Sequence, residues 1–302
     1  MEAAIASHSS RSASTGAPLL LLAAFALTLV GPLALLLLTP LVLGVPHVVG
    51  DLRCLVLSPS ARALRLPKLA LFGPLAAMTV FSSSTVFGGE SWPRAQILCG
   101  AAAVLGAILG ARGRAPWRIA LATAVVVLAA LACSNVTLGL VALAHAHNVI
   151  ALLWFCAWAR DRRAALGALA VYVLAVGAFL SGLGSAPIDA EFWGLSSAKL
   201  AAQLAPGVST DFAQRIVASF AFAQAAHYGV WIWLLPRERA TSLRRDLGAH
   251  GLWLFAASAV LVPLLALRDP VWARDSYLAL AAFHGWLELA VLAHLFARGS
   301  RT

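Results

Sequence analysis

Gly44-Val45-Pro46-His47-Val48-Val49-Gly50-Asp51 closes the first long apolar run of the chain, and the reading of the fold turns on it. On a helix, residues four apart share a face, so His47 and Asp51 would point the same way. The proline and the two glycines are expected to interrupt the helix. An ionisable pair inside an apolar run is costly to bury and marks a functional site by default.

The surrounding composition fixes the class. Of 302 residues, 61% are hydrophobic and 11% charged, with a mean hydropathy of +0.87; soluble domains have about 45–50% apolar and about 25% charged residues. The chain reads as an all-α, polytopic helical bundle whose solvent is the lipid bilayer of a cell membrane. A crossing needs about 20 apolar residues, and nine stretches qualify, near 18–43, 69–88, 94–111, 117–134, 136–159, 164–183, 211–235, 249–267 and 277–297. Ser134-Asn135 is the turn that divides the fourth from the fifth. Residues 1–16, rich in Ser and Ala, are expected to be a disordered tail, and 17–302 a single membrane-embedded domain.

A net charge of +10 does not point to nucleic acid, because the basic residues sit in short clusters between apolar runs. With nine crossings, sixteen of the 22 basic residues fall on one side, in the loops holding Arg53 to Lys68, Arg112 to Arg118, Arg160 to Arg163, Arg237 to Arg245, and Arg298 to Arg301. The positive-inside rule then sets the N-terminus outside and the C-terminus in the cytoplasm. Phe192, Trp193, Leu195, Leu200 and Leu204 suggest a short interfacial helix between about 190 and 205. Cys54, Cys99, Cys133 and Cys156 show no paired spacing and read as small apolar packing residues.

The histidines carry the chemistry. His147 is 13 residues before Arg160, His227 is 10 before Arg237, and His284 and Glu288 are 14 and 10 before Arg298. At about 1.5 Å per residue these groups share a layer roughly 15–21 Å from their helix ends. His47, only 6 residues before Arg53, reaches that layer only if the backbone around it folds back. His145 and His147 lie about 200° apart on a helix, so at most one of them can face a shared centre, and His147 is preferred. His250 and His294 read as interfacial.

Each histidine alone is as well explained by a hydrogen bond to a neighbouring helix. Together, His47, His147, His227 and His284 form a ligand set for a transition metal, with Glu288 as ligand or orienting carboxylate and Asp51 fixing a histidine tautomer. Trp154, Trp231 and Trp286 lie at similar depth, where they would line a pocket for a hydrophobic small molecule or simply pack the core. Haem held by two axial histidines and a proton relay in a transporter are the competing readings.

Gly44, Pro46, His47 and Asp51 resemble the early Gly-x-Pro-His-Gly-x-x-Asp motif of the Brp/Blh family, bacterial membrane enzymes that cleave β-carotene to retinal, with Val48 in place of the second glycine. The match covers about eight residues, with polytopic topology and later histidines in support. It implies an iron(II)-dependent oxygenase with His47 as a ligand and a carotenoid or another isoprenoid as substrate.

Overall fold

The computed structural model describes residues 2–57, 62, 65–112, 115–159, 161–185, 187–235 and 243–299. Its helices are α1 (Glu2–Val30), α2 (Pro32–Leu52, continued by a π-helical turn Arg53–Leu57), α3 (Lys68–Phe87), α4 (Pro93–Leu109), α5 (Ala115–Ser134), α6 (Val136–Trp158) and α7 (Arg162–Leu180). A small hairpin, β1 (Glu191–Phe192) with β2 (Leu195–Ser196), leads into α8 (Ser197–Leu204). Then come α9 (Thr210–Gly229, continued by a π-helical turn Val230–Leu234), α10 (Leu243–Ala266), α11 (Pro270–Ala281) and α12 (Phe283–Arg298).

Among the described residues, seven helical stretches are long and apolar enough to cross a membrane, and Gly16–Val30 and Pro93–Leu109 are shorter apolar helices. The chain is therefore an all-helical protein of multi-pass membrane type. The turn at Ser134-Asn135 separates α5 from α6, and the Asn135 carboxamide oxygen accepts from the Leu138 amide at 3.1 Å, a cap on the new helix. The expected crossing at 211–235 is absent from the seven. It is α9, which carries Gln214, Gln224 and His227 among its buried residues and so faces protein.

The first expected crossing, 18–43, is two helices. Gly31 lies between them, and Pro32 opens α2 at a position where its missing N–H costs little. On α1, Phe25 meets Phe222 and Leu20 reaches Gly229. On α2, Thr39 meets Gln224, His47 meets His227 and Gly50 reaches Trp231. The two helices therefore run in opposite directions along α9, as a helical hairpin.

The stretch 44–51 does not break α2, although Pro40 and Pro46 both lie inside the helix. Gly50 serves close packing: a Cβ there would lie 2.7 Å from the Trp231 carbonyl oxygen. Arg53, taken from sequence as a boundary charge, is buried in the π-helical turn. The helix runs on to Leu57, so His47 stands about 15 Å from its end without any folding back. α1 begins at Glu2, inside the segment expected to be a tail.

The chain forms two compact units, 1–50 with 148–271 and 51–147 with 272–302. In the first, α9 packs against α1, α7 and α8. Phe25 and Phe179 sit 5.1 Å apart, and Phe222 lies 5.8 Å from Phe179 and 5.3 Å from Tyr172. Gln224 donates to the Thr39 hydroxyl at 2.9 Å, and the Ser197 hydroxyl donates to the Gln214 carboxamide oxygen at 2.5 Å. The segment expected as an interfacial helix is the β hairpin plus α8, with Leu195 and Leu200 buried.

In the second unit, α4 packs against α3, α5 and α12. Its buried face is small, with Gly100, Ala101, Ala103 and Ala107. Lipid tails are as apolar as leucine, so close van der Waals contact between helices carries much of the stability here. A Cβ at Gly106 would lie 2.7 Å from the Ala70 carbonyl oxygen of α3. Gly106→Leu is expected to cost about 1–3 kcal/mol and to lower the unfolding temperature in detergent. Gly177→Leu, where nothing lies within 4 Å, should leave it unchanged.

Candidate metal centre

In the second unit, α12 presents His284 and Glu288 one turn apart, both buried, and α6 supplies His147. Gly285 permits the approach, since a Cβ at that position would lie 2.9 Å from His147 Nδ1. The His147 and His284 rings meet nearly edge to face, with centroids 4.5 Å apart at 79° and Nε2 atoms 2.9 Å apart. His147, the one preferred of the pair, is the partner of His284. On its other side, His147 Nδ1 lies 3.1 Å from Glu288 Oε2.

The protons in this cluster can be placed in two ways, and one of them leaves room for a cation. His284 Nδ1–H donates to the Ala281 carbonyl, beside the interruption that separates α11 from α12. A neutral ring with its proton on Nδ1 has a lone pair on Nε2. The Glu288 carboxylate beside His147 Nδ1 favours a proton there too, which leaves His147 Nε2 with a lone pair as well. In that arrangement two lone pairs face each other across 2.9 Å, as on a shared ion; with the His147 proton on Nε2 the same contact is a hydrogen bond donated to His284.

Asp51 adds negative charge to the same unit. It is fully buried, and its carboxylate has no hydrogen-bond donor among the described residues. It also feels the charge of Glu288. Two buried carboxylates that repel each other call for a proton or a metal ion to balance them.

In the first unit, α2 and α9 bring His47 and His227 together, with Nε2 atoms 2.8 Å apart and ring centroids 4.7 Å apart at 71°. The His47 ring also packs on Tyr228, at 4.4 Å. Both imidazoles are almost fully buried. Two nitrogens bound to one metal at about 2.0–2.1 Å and a right angle are about 2.9 Å apart, so both pairs have the spacing of neighbouring ligands.

The tryptophans divide. Trp154 and Trp231 are buried in the first unit, and their indole N–H groups have no acceptor among the described residues. Trp154 also packs on Trp158, with centroids 4.4 Å apart. Trp286 instead packs over Gly100 of α4. All four cysteines are free thiols.

His294 is a correction. Read as interfacial, it is 1% exposed, and its Nδ1–H donates to the Ala107 carbonyl at 2.8 Å. Its four-residue distance from Arg298 suggested the membrane boundary, but α4 covers it. His250 is exposed. The sequence gives no compositional signal for the two π-helical turns, which begin two residues after Asp51 and three after His227. Such turns are frequent at functional sites. No family model, curated protein or solved structure matches the chain.

Proposed function

We propose that the chain is a membrane-embedded oxidoreductase with a histidine-bound transition metal, iron(II) by the chemistry of the donor set, acting on a hydrophobic isoprenoid of the carotenoid kind. The observation that carries this reading is the approach of the His147 and His284 Nε2 atoms to 2.9 Å, on rings whose opposite nitrogens face the Glu288 carboxylate and the Ala281 carbonyl. Imidazole and carboxylate groups with open positions suit iron that activates dioxygen. A ferrous ion there supplies the redox chemistry for oxidising an unactivated hydrocarbon.

The protein's own groups do the rest. His147 and His284 offer Nε2, and so do His47 and His227. Glu288, its Oε2 3.1 Å from His147 Nδ1, favours a proton on that nitrogen by its charge, the role of an orienting carboxylate, or offers an oxygen to the ion itself. Asp51 balances the charge of a bound cation from within the protein. Burial of these groups keeps bulk water away, and an apolar substrate reaches them from the bilayer.

Haem is a poorer fit to either pair. Axial nitrogens on opposite faces of a haem are about 4 Å apart, with the macrocycle between them, whereas these pairs stand at 2.8 and 2.9 Å. The helical hairpin of α1 and α2 adds a crossing to the nine read from sequence, so we place both termini in the cytoplasm. Arg11 then joins the basic majority.

Elemental analysis of the detergent-purified chain tests the reading. Wild type is expected to carry iron, and the double variant His47→Ala, His227→Ala to carry much less. Equal and negligible iron in both would reject it.

A further inference from the structure

A second site lies away from the histidines, in the second unit. A groove of about 400 Å³, within the size range of small-molecule sites, runs between the end of α4 and the start of α5 and is lined by Leu109, Arg118, Ile119, Ala122, Thr123 and Val126. The lining of α5 repeats at helical spacing, so its side chains form one continuous stripe. α5 is long and apolar enough to cross a membrane, and none of its crossing window is buried within the protein.

The groove has one charge, and it is positive. Arg118 donates through Nη2 to the Leu109 carbonyl at 2.6 Å, which fixes the guanidinium at the mouth of the groove. Its Nε is shielded from solvent and has no acceptor among the described residues. No carboxylate lines the groove. Arg112, exposed, follows Leu109 by three residues, so the positive charge extends past the rim.

We propose that this groove binds an anionic phospholipid, its phosphate on Arg118 and one acyl chain along Ile119, Ala122 and Val126. The occupant follows from the lining: a neutral isoprenoid would leave the guanidinium unanswered, and a soluble anion would leave the stripe bare. Basic pockets at the membrane boundary between crossing helices take anionic headgroups in this way. The site depends on the chain lying in a bilayer and not on the metal reading.

Native mass spectrometry of the full chain in mild detergent tests it, with phosphatidylglycerol and phosphatidylcholine of identical acyl chains. Wild type is expected to retain one phosphatidylglycerol with about fivefold preference, and glycerophosphate, which lacks the chains, should not displace it. Arg118→Gln should abolish the preference. Because that change also removes the bond to Leu109, Ala122→Trp, which fills the groove and keeps the arginine, should abolish retention independently. Equal retention of the two lipids by wild type overturns the proposal, and so does an unchanged preference in either folded variant.

Discussion

Purified His284→Ala is expected to hold less than about a tenth of the wild-type iron, while His145→Ala holds nearly all of it. Binding of a structural metal is worth about 10–16 kcal/mol over about four ligands, so each ligand carries about 3 kcal/mol, or two orders of magnitude in affinity. His284 Nε2 faces His147 Nε2 at 2.9 Å, and the backbone bond at Nδ1 puts the ring proton on the far side from that contact. His145 lies on the same helix two residues from His147, on a different face, which makes it a control for general damage to α6. Equal loss in both variants would mean that the pair is not a ligand pair.

The second large effect is a split of sign at Glu288. Glu288→Gln keeps the size of the side chain and removes its charge, so His147 loses the group that holds its proton on Nδ1. Loss of such an orienting carboxylate weakens metal binding about 10–100-fold, measurable as retention against a graded series of chelators. The metal-free protein should nevertheless melt no lower than wild type, because the Gln removes one of two buried carboxylates that repel each other. A variant that melts well below metal-free wild type would show that Glu288 serves stability and not metal binding.

The element most legible from sequence was the helix itself. Long apolar runs broken by basic loops leave little choice of structure in a bilayer, and the boundaries from α3 to α7 fall within a few residues of expectation. The pairing of His284 with Glu288 on one face was equally legible, as was the rule that His145 and His147 cannot both face one centre, because both follow from helical periodicity alone; which of the two turns inward does not. The first crossing was not. Residues 18–43 read as one crossing kinked near Pro32 and Pro40, and only its packing against α9 reveals that the chain reverses at Gly31.

His294 and Gly50 show the same limit from the other side. A histidine near a basic helix end looks interfacial until a neighbouring helix covers it, and a glycine beside a proline looks like a break until a carbonyl is found 2.7 Å from its missing side chain. The polar helix α9 failed the composition test for a crossing because its glutamines and histidine answer to Thr39, Ser197 and His47, all distant in sequence.

By itself, then, the order of residues determined a helical membrane-type chain and the small set of ionisable groups it keeps among apolar ones, because composition and a 3.6-residue period act locally. Which imidazole meets which, and which nitrogen of each ring faces its partner, came only from the tertiary structure. Those depend on the approach of helices more than a hundred residues apart and on single backbone carbonyls, such as that of Ala281, that no local pattern announces.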